Sequence, residues 1–407
     1  MTRRWALRYA GIGAGIALWS AVIIVEAVTW IPVDHYLISY YVADYTFGFV
    51  RRGLAGALVG TVSDPDFFGN AFAMRWLLTG LYLVSLAALA LVLVKRGFSE
   101  RRVMLALLIP VLPFGVPYAV YSARPDLLGA AALIALGVAL TTTRSPRVAL
   151  VISGGYGLLV GVLAFMHEGI AFEFALGAVL AIVVLAQGLT PVVQRWCAAL
   201  AIGPGLVAAA AVALLARHDV SDQFCALVPH EMLRNPFEGA TTPQQVIDNI
   251  FGSTTTAVTD YHEWVCGWYL STYDYGIADG IKEVLAVGAP GLIVSFLLGL
   301  VVIAVTIGAL QHFSGVAFAG FVDRLRGRLL WVVAALVLMI PVFMTGIDWT
   351  RWLLVIAFNI AVVYLLYMRH KPELDQAPPP RSTTWFVVVV LAFAFVPLGL
   401  VPGGPIS

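Results

Sequence analysis

Charge is scarce in this sequence. Of 407 residues only 12% are Asp, Glu, Lys or Arg, while 61% are hydrophobic. That is roughly half the charged fraction of a soluble globular domain. The 24 basic and 23 acidic residues leave a net charge of +1, and there is no basic stripe with interleaved aromatics, which sets nucleic acid aside as a partner. No polar stretch is long enough to build a soluble domain with its own core, and no repeat recurs at a fixed period. Cysteine is down to three residues. The first apolar run, from Tyr9 to Trp30, lacks a small-residue cleavage site behind Thr2-Arg3-Arg4, so it reads as a retained helix rather than a removed leader.

What is abundant is apolar sequence in runs of about twenty residues, the length that crosses roughly 30 Å of hydrocarbon. Backbone groups in hydrocarbon need internal partners, so such runs must be helices. The expected architecture is an all-α polytopic membrane protein, a single membrane domain over 1–407. Its eleven helices are predicted near 9–30, 74–94, 103–121, 127–143, 148–166, 170–187, 197–216, 286–310, 329–346, 352–368 and 384–401.

Charge placement orients them. With the N-terminus in the cytoplasm, every inner loop carries at least one Arg, among them Arg101, Arg144, Arg195 and Arg324, which is the positive-inside pattern of a plasma (inner) membrane protein. Of the acidic residues only Glu100, Asp323, Glu373 and Asp375 fall inside; Glu26 and Glu173 lie within helices and the others outside. The inner segment 369–384, with Pro378-Pro379-Pro380, reads as a solvated linker. Two outer segments exceed connector length. The first, 31–73, contains a stretch from Gly53 to Phe72 that is too short to span and is broken by Ser63-Asp64-Pro65-Asp66, so it predicts helices lying along the interface. The second, 217–288, has the length of a lid or binding loop. Cys225 and Cys266 both fall in it, and an oxidising compartment would join them as a disulfide; two unrelated thiols are the alternative.

The outer turns share one chemistry. The first outer loop holds Asp34, Asp44 and the pair Arg51-Arg52, which goes against the positive-inside tendency. Interfacial snorkelling would explain the pair; so would a site for an anionic group such as a lipid phosphate. Arg124-Pro125-Asp126 occupies the next turn, where Asp126 also suits an ordinary helix start. His167-Glu168 follows, as metal ligand, base or cap, without the second His of a His-Glu-x-x-His motif. Asp348 and Arg351, three apart at a helix start, can pair with each other. The large loop mixes carboxylates with aromatics, as at Asp260-Tyr261-His262-Glu263-Trp264 and Tyr273-Asp274-Tyr275; that suits a sugar surface or a solvated acidic loop. Ionisable groups at the ends of helices in a membrane bundle point to function, and a transporter would set them nearer the midplane.

This layout resembles the GT-C glycosyltransferases, integral membrane enzymes that use polyprenyl-phosphate-linked sugars. The residues that carry the resemblance are Asp34 and Asp44 in the first outer loop, the Arg124-Pro125-Asp126 triplet, similar to one in bacterial lipid-linked mannosyltransferases, and the large late loop. The loop has no adjacent acidic pair, and the run from Asp44 to Arg52 fits no named subfamily. The resemblance implies a GT-C-like fold and transfer of a sugar from a polyprenyl-phosphate donor to a lipid, glycan or protein acceptor on the extracytoplasmic face. The catalytic base would be Asp44 or Asp34, with Asp44 nearer the arginine pair. Arg51, Arg52 and Arg124 would contact the donor phosphate; Asp126, His167, Glu168, Asp348 and Arg351 would hold the site or orient the acceptor. No cofactor is required beyond room for a divalent cation. The alternatives are an envelope polysaccharide polymerase or ligase acting on a lipid pyrophosphate, and a transporter or flippase.

Overall fold

The computed structural model describes residues 3–29, 35–61, 66–95, 97–235, 242, 244, 245, 248 and 258–396. Asp34, parts of both long predicted outer segments and the tail beyond 396 lie outside the described residues. Seven helices are long and apolar enough to cross a membrane: α1 (Trp5–Thr29), α2 (Phe67–Val94), α3 (Glu100–Tyr121), α5 (Pro146–Leu163), α7 (Pro191–Leu215), α8 (Ile277–Ser314) and α10 (Trp349–Met368). Four shorter apolar helices complete the series, namely α4 (Asp126–Thr142), α6 (Ile170–Leu185), α9 (Leu329–Thr345) and α11 (Ser382–Phe395). Each of the eleven sits on one of the predicted apolar runs. Among the described residues the β-structure is a single hairpin, β1 (Met232–Arg234) paired antiparallel with β2 (Val258–Asp260), Met232 opposite Asp260.

The bundle is organised around α10. Seventeen of its side chains, from Arg351 to Met368, are buried, as expected for a helix apolar on every side and enclosed by others. It packs against α8, α6 and α4 in the core. By contrast α1 turns most of its surface outward, with Leu7, Leu18, Val22 and Val25 exposed, the composition of a face in contact with lipid. The most extensive helix–helix contact is that of α5 on α7, where small residues let two backbones meet. Ser153, Gly157 and Gly161 recur every four residues along α5, and a Cβ on Gly157 would stand only 1.9 Å from the Leu200 carbonyl oxygen.

Several predicted boundaries move. Residues from Phe67 onward belong to α2 rather than to an interfacial segment, because Asp66 accepts a hydrogen bond from Gly69 N at 3.1 Å and caps the helix there. Within the first long segment, the helix His35–Ser39 buries His35, Leu37, Ile38 and Ser39 instead of lying exposed along a surface. In the second, α8 begins at Ile277 and runs through a kink at Gly288, where φ is +77°, just before Pro290. The 369–384 segment is anchored at one point and otherwise largely exposed: Leu374 is buried, and Arg102, at the start of α3, binds both Asp375 carboxylate oxygens and the carbonyls of Leu93 and Arg369. That buried guanidinium satisfies itself only if the linker folds back onto it.

The α5–α7 crossing is directly testable. Gly157→Val should lower stability by about 1–3 kcal/mol or more through overpacking, read as a drop in thermal midpoint in detergent. Gly154→Val, at a position with open space around it, should leave the midpoint nearly unchanged.

Candidate functional site

At the end of the bundle formed by the turns 122–125, 164–169 and 346–348, four arginines and their partners close into one polar cluster. The chain brings Arg52 there through a left-handed backbone (φ 59°) immediately before the short helix Gly53–Gly60. A positive φ at a non-glycine residue is strained, and such strain persists where the surroundings hold the residue for a purpose. Here it points the guanidinium at Glu168, with Nη2 2.9 Å from Oε1 and Nε 3.1 Å from Oε2. This is the fork-on-carboxylate geometry that makes arginine pairs strong.

A second chain of ion pairs lies beside it. Arg124 Nη1 donates to Asp348 Oδ2 at 2.7 Å, Arg351 Nε donates to the same oxygen at 3.3 Å, and Arg351 Nη1 reaches Asp126 Oδ2 at 2.5 Å. Tyr118 OH also donates to Asp126, at 3.4 Å. Arg124, Asp126 and Arg351 are all buried. Charges alternate along the run, and this alternation is what makes their burial tolerable, since an unpaired buried charge costs several kcal/mol.

Aromatic rings form the wall and roof. Arg124 lies 4.8 Å from the Tyr36 ring centre and Arg52 5.6 Å from that of Tyr40, both within cation–π range. Tyr40 in turn packs on His167 and Tyr269, with centroids 5.9 and 5.7 Å away. Tyr269 closes a π-helical turn, Val265–Tyr269, of a kind that recurs at functional sites. The next turn delivers Thr272, whose carbonyl accepts from Arg51, and Tyr273, whose ring stands 5.3 Å beneath the Arg51 guanidinium. Cys225 and Cys266 form a disulfide, with Cα atoms 5.4 Å apart, which ties this roof to the segment after α7.

Electrostatics follow from the packing. Burial alone would raise the Glu168 carboxyl, but Arg52 outweighs it and, with His167 and Arg51, holds it well below the usual carboxylate range. Burial pushes the His167 imidazole well below its ordinary value, and the nearby Arg52 adds to the effect. Glu168 is thus an anion and His167 a neutral base near neutral pH.

Eight of the residues singled out by sequence pattern meet here: Arg51, Arg52, Arg124, Asp126, His167, Glu168, Asp348 and Arg351. Asp44 does not join them. Its carboxylate accepts from Thr46 N at 2.8 Å and lines a small hollow with Val42, Phe67, Phe224 and Leu227; among the described residues it makes no ion pair with an arginine. Asp34 lies outside the described residues. Most of the polar pairs of the large loop also stay local, Arg217 with Asp219, His230 with Asp260, and Asp274 with Ser221. Among the described residues the one trio of His, Cys, Asp or Glu with ligand atoms within 4.8 Å of one another is Cys225, His262 and Cys266, and its cysteines are spent on the disulfide. The carboxylates of the arginine cluster, Glu168, Asp348 and Asp126, each bind a guanidinium group.

Sequence pattern missed Glu173, which is 0% exposed near the start of α6, and the tyrosines Tyr40, Tyr118 and Tyr269. The signal for Glu173 was present: a carboxylate inside an apolar helix is rare and by default functional.

Fold and site together define a polytopic α-helical membrane protein with a buried ionic cluster at one end of its helices. The model of the family described as "Uncharacterised membrane protein Rv1490" matches residues 9–394, and the chain belongs to that family. It is similar to the uncharacterised protein Mb1527 of Mycobacterium bovis, 42% identical over 394 residues that cover 96% of this chain and 90% of the relative. The uncharacterised proteins MT1536 and Rv1490 of Mycobacterium tuberculosis match with the same identity and coverage. No solved structure matches.

Two measurements test the electrostatics. In a double-mutant cycle, Arg52→Ala and Glu168→Ala should each lower stability by about 1–3 kcal/mol, and the double variant should lose less than their sum by about 0.5 kcal/mol or more. The second measurement concerns acid. Both depressed groups bind protons more readily in the unfolded chain, so the stability they contribute is complete above their ordinary values and is lost as pH falls. The thermal midpoint should therefore decline below the ordinary histidine value of 6.5 and again below the ordinary carboxylate value of 4.5. His167→Gln should remove the first decline and leave the second.

Proposed function

We propose that this protein is a membrane glycosyltransferase that moves a sugar from a polyprenyl-phosphate donor to an envelope glycan, lipid or protein acceptor, at the extracytoplasmic face of the plasma membrane. The observation that carries the proposal is the state of Arg51. Arg52, Arg124 and Arg351 are each matched to a carboxylate, by Glu168, Asp348 and Asp126. Arg51 has no carboxylate within ion-pair distance among the described residues; it rests on Tyr273 and the Thr272 carbonyl, and its Nε is buried without a partner. A cation left over in an otherwise matched cluster is the place for an anion supplied by a ligand.

The chemistry suits that placement. As the anomeric C–O bond of a lipid-linked sugar breaks, its electron pair stays on the departing phosphate, and fixed cations stabilise charge that grows there. Tyr36 is only partly buried, and its ring and hydroxyl would meet the apolar C–H side and the rim of a sugar, with the buried Tyr40 and Tyr269 behind it. Substrates carried on a lipid would reach such a cluster along the membrane surface. The GT-C layout read from the sequence agrees with this arrangement, although of the two bases it implied Asp44 stands apart from the arginines and Asp34 lies outside the described residues.

The test is mass spectrometry of envelope glycolipids and glycans from a strain lacking the gene. Loss of one sugar, restored by the wild-type gene and by Arg147→Ala at an exposed position but not by Arg51→Ala, is the expected result. Unchanged glycans, or full restoration by Arg51→Ala, would sink the reading. Accumulation of unpolymerised repeat units would instead assign the cluster to a polymerase or ligase acting on a lipid pyrophosphate.

A further inference from the structure

Two buried polar groups in the cluster have no partner and face the same gap. Glu173 is wholly buried, and neither of its carboxylate oxygens makes a hydrogen bond; Nδ1 of His167, a residue 6% exposed, is buried and unpartnered as well. Gly169 separates them. A Cβ built on that glycine would stand 2.9 Å from His167 Nδ1 and 3.1 Å from Glu173 Oε1, so the imidazole and the carboxylate look into one small volume that a side chain at 169 would fill. Buried polar atoms are nearly always satisfied, and a carboxylate orphaned inside an apolar bundle calls for an explanation.

Other acidic groups of the cluster are already engaged. Glu168 accepts two bonds from Arg52; Asp348 is shared by Arg124 and Arg351; Asp126 takes Arg351 and Tyr118. Each is tied up in hydrogen bonds to a guanidinium. His167 is different. The charged groups around it are Arg52, Glu168, Arg351 and Arg124, with Tyr40 packed on its ring; burial and the three cations keep the imidazole uncharged, and unlike the carboxylates it has a ring nitrogen, Nδ1, that makes no hydrogen bond. Glu173 lies on its far side, across Gly169.

We propose that His167, backed by Glu173, takes the proton of the acceptor hydroxyl in the transfer reaction; this rests on the glycosyltransferase reading above. The hydroxyl gives its proton to Nε2 of His167 as its oxygen bonds to the anomeric carbon. The anomeric C–O bond to the phosphate breaks, and its electron pair leaves with the phosphate at Arg51. Nδ1–H turns across the gap to Glu173 Oε1, an unpartnered oxygen that accepts it and holds the ring in place. A base oriented by a second group in this way is the general form of an activated acid–base dyad. Atoms and charge balance without an added redox partner or metal.

The test uses membranes from the deletion strain complemented with full-length variants, reading the rate at which the missing sugar is restored to its glycan between pH 5.5 and 8.5. His167→Gln should slow transfer by about a hundredfold or more without a matching change in the donor concentration that gives half-maximal rate, whereas Arg51→Ala should raise that concentration. Glu173→Gln should slow transfer by roughly tenfold or more and shift the acid limb of the pH profile. Added imidazole should partly restore His167→Ala, a rescue that a merely structural role would not produce. Should His167→Ala fail to accumulate, Gly169→Ala decides, since its methyl enters the gap while every polar group stays. If the wild type transfers sugar and His167→Gln keeps its rate within threefold with the same pH profile, the dyad is wrong and the transferase reading stands. If the wild-type chain restores no sugar, both fall.

Discussion

Four guanidinium groups are held in and around an apolar bundle, and the rest of the molecule is arranged so that they can be. A single unpaired charge in such a place costs several kcal/mol, more than most individual packing interactions return. Arg124, Asp348, Arg351 and Asp126 solve the problem by alternation, each cation touching an anion and Asp348 touching two cations. Arg52 and Glu168 form a second, separate pair. Because the partners come from different turns, each pair constrains where those turns end. The α3–α4 turn, the α5–α6 turn, the start of α10 and the loop after α1 must all arrive at one level, or a charge is stranded.

The helices supply that level. Enclosed α10 carries Arg351 at its first turn, and Asn359 two turns deeper donates to the Glu173 carbonyl at 2.7 Å. The link locks α6 against α10 at the depth where Glu173 looks into the cluster. The glycine face of α5 lets it pack closely on α7, which positions the turn bearing His167 and Glu168. At the opposite end of α3 the same logic operates in miniature, with Arg102 bound by Asp375 and two carbonyls. The contrast between the ends is informative. The Arg102 site is closed by its own chain, whereas the large cluster keeps one arginine unmatched and one carboxylate unpartnered.

How far these features could be read from sequence depends on whether they are local. Apolar run length is local, and the eleven helices coincide with the eleven runs. Helix ends are decided partly by capping: Asp66 captures Phe67 for α2 although the preceding residues look interfacial. Arg51, Arg52, Arg124, Asp126, His167, Glu168, Asp348 and Arg351 stood out because charge at the turns of a membrane bundle is conspicuous. Asp44 stood out for the same reason, yet its carboxylate serves the backbone of Thr46. Glu173 reads in sequence only as a charge near the end of an apolar run, and Tyr40 and Tyr269 resemble any interfacial aromatics until the ring they stack on is known.

By itself, then, the sequence determined the class of molecule, the number of apolar helices, the turns where charge gathers and the two cysteines available to each other. All of these follow from residue type and spacing along the chain, measured against the thickness of a membrane. Which charge meets which was decided only by tertiary structure, since Arg52 and Glu168 lie 116 residues apart and Arg351 and Asp126 lie 225 apart. Such partners are chosen by the order and tilt of the helices between them. The same packing left Arg51 without a carboxylate and His167 Nδ1 and the Glu173 oxygens without a hydrogen-bond partner, and no property of those residues in isolation distinguishes them from the arginines, histidines and glutamates that are paired.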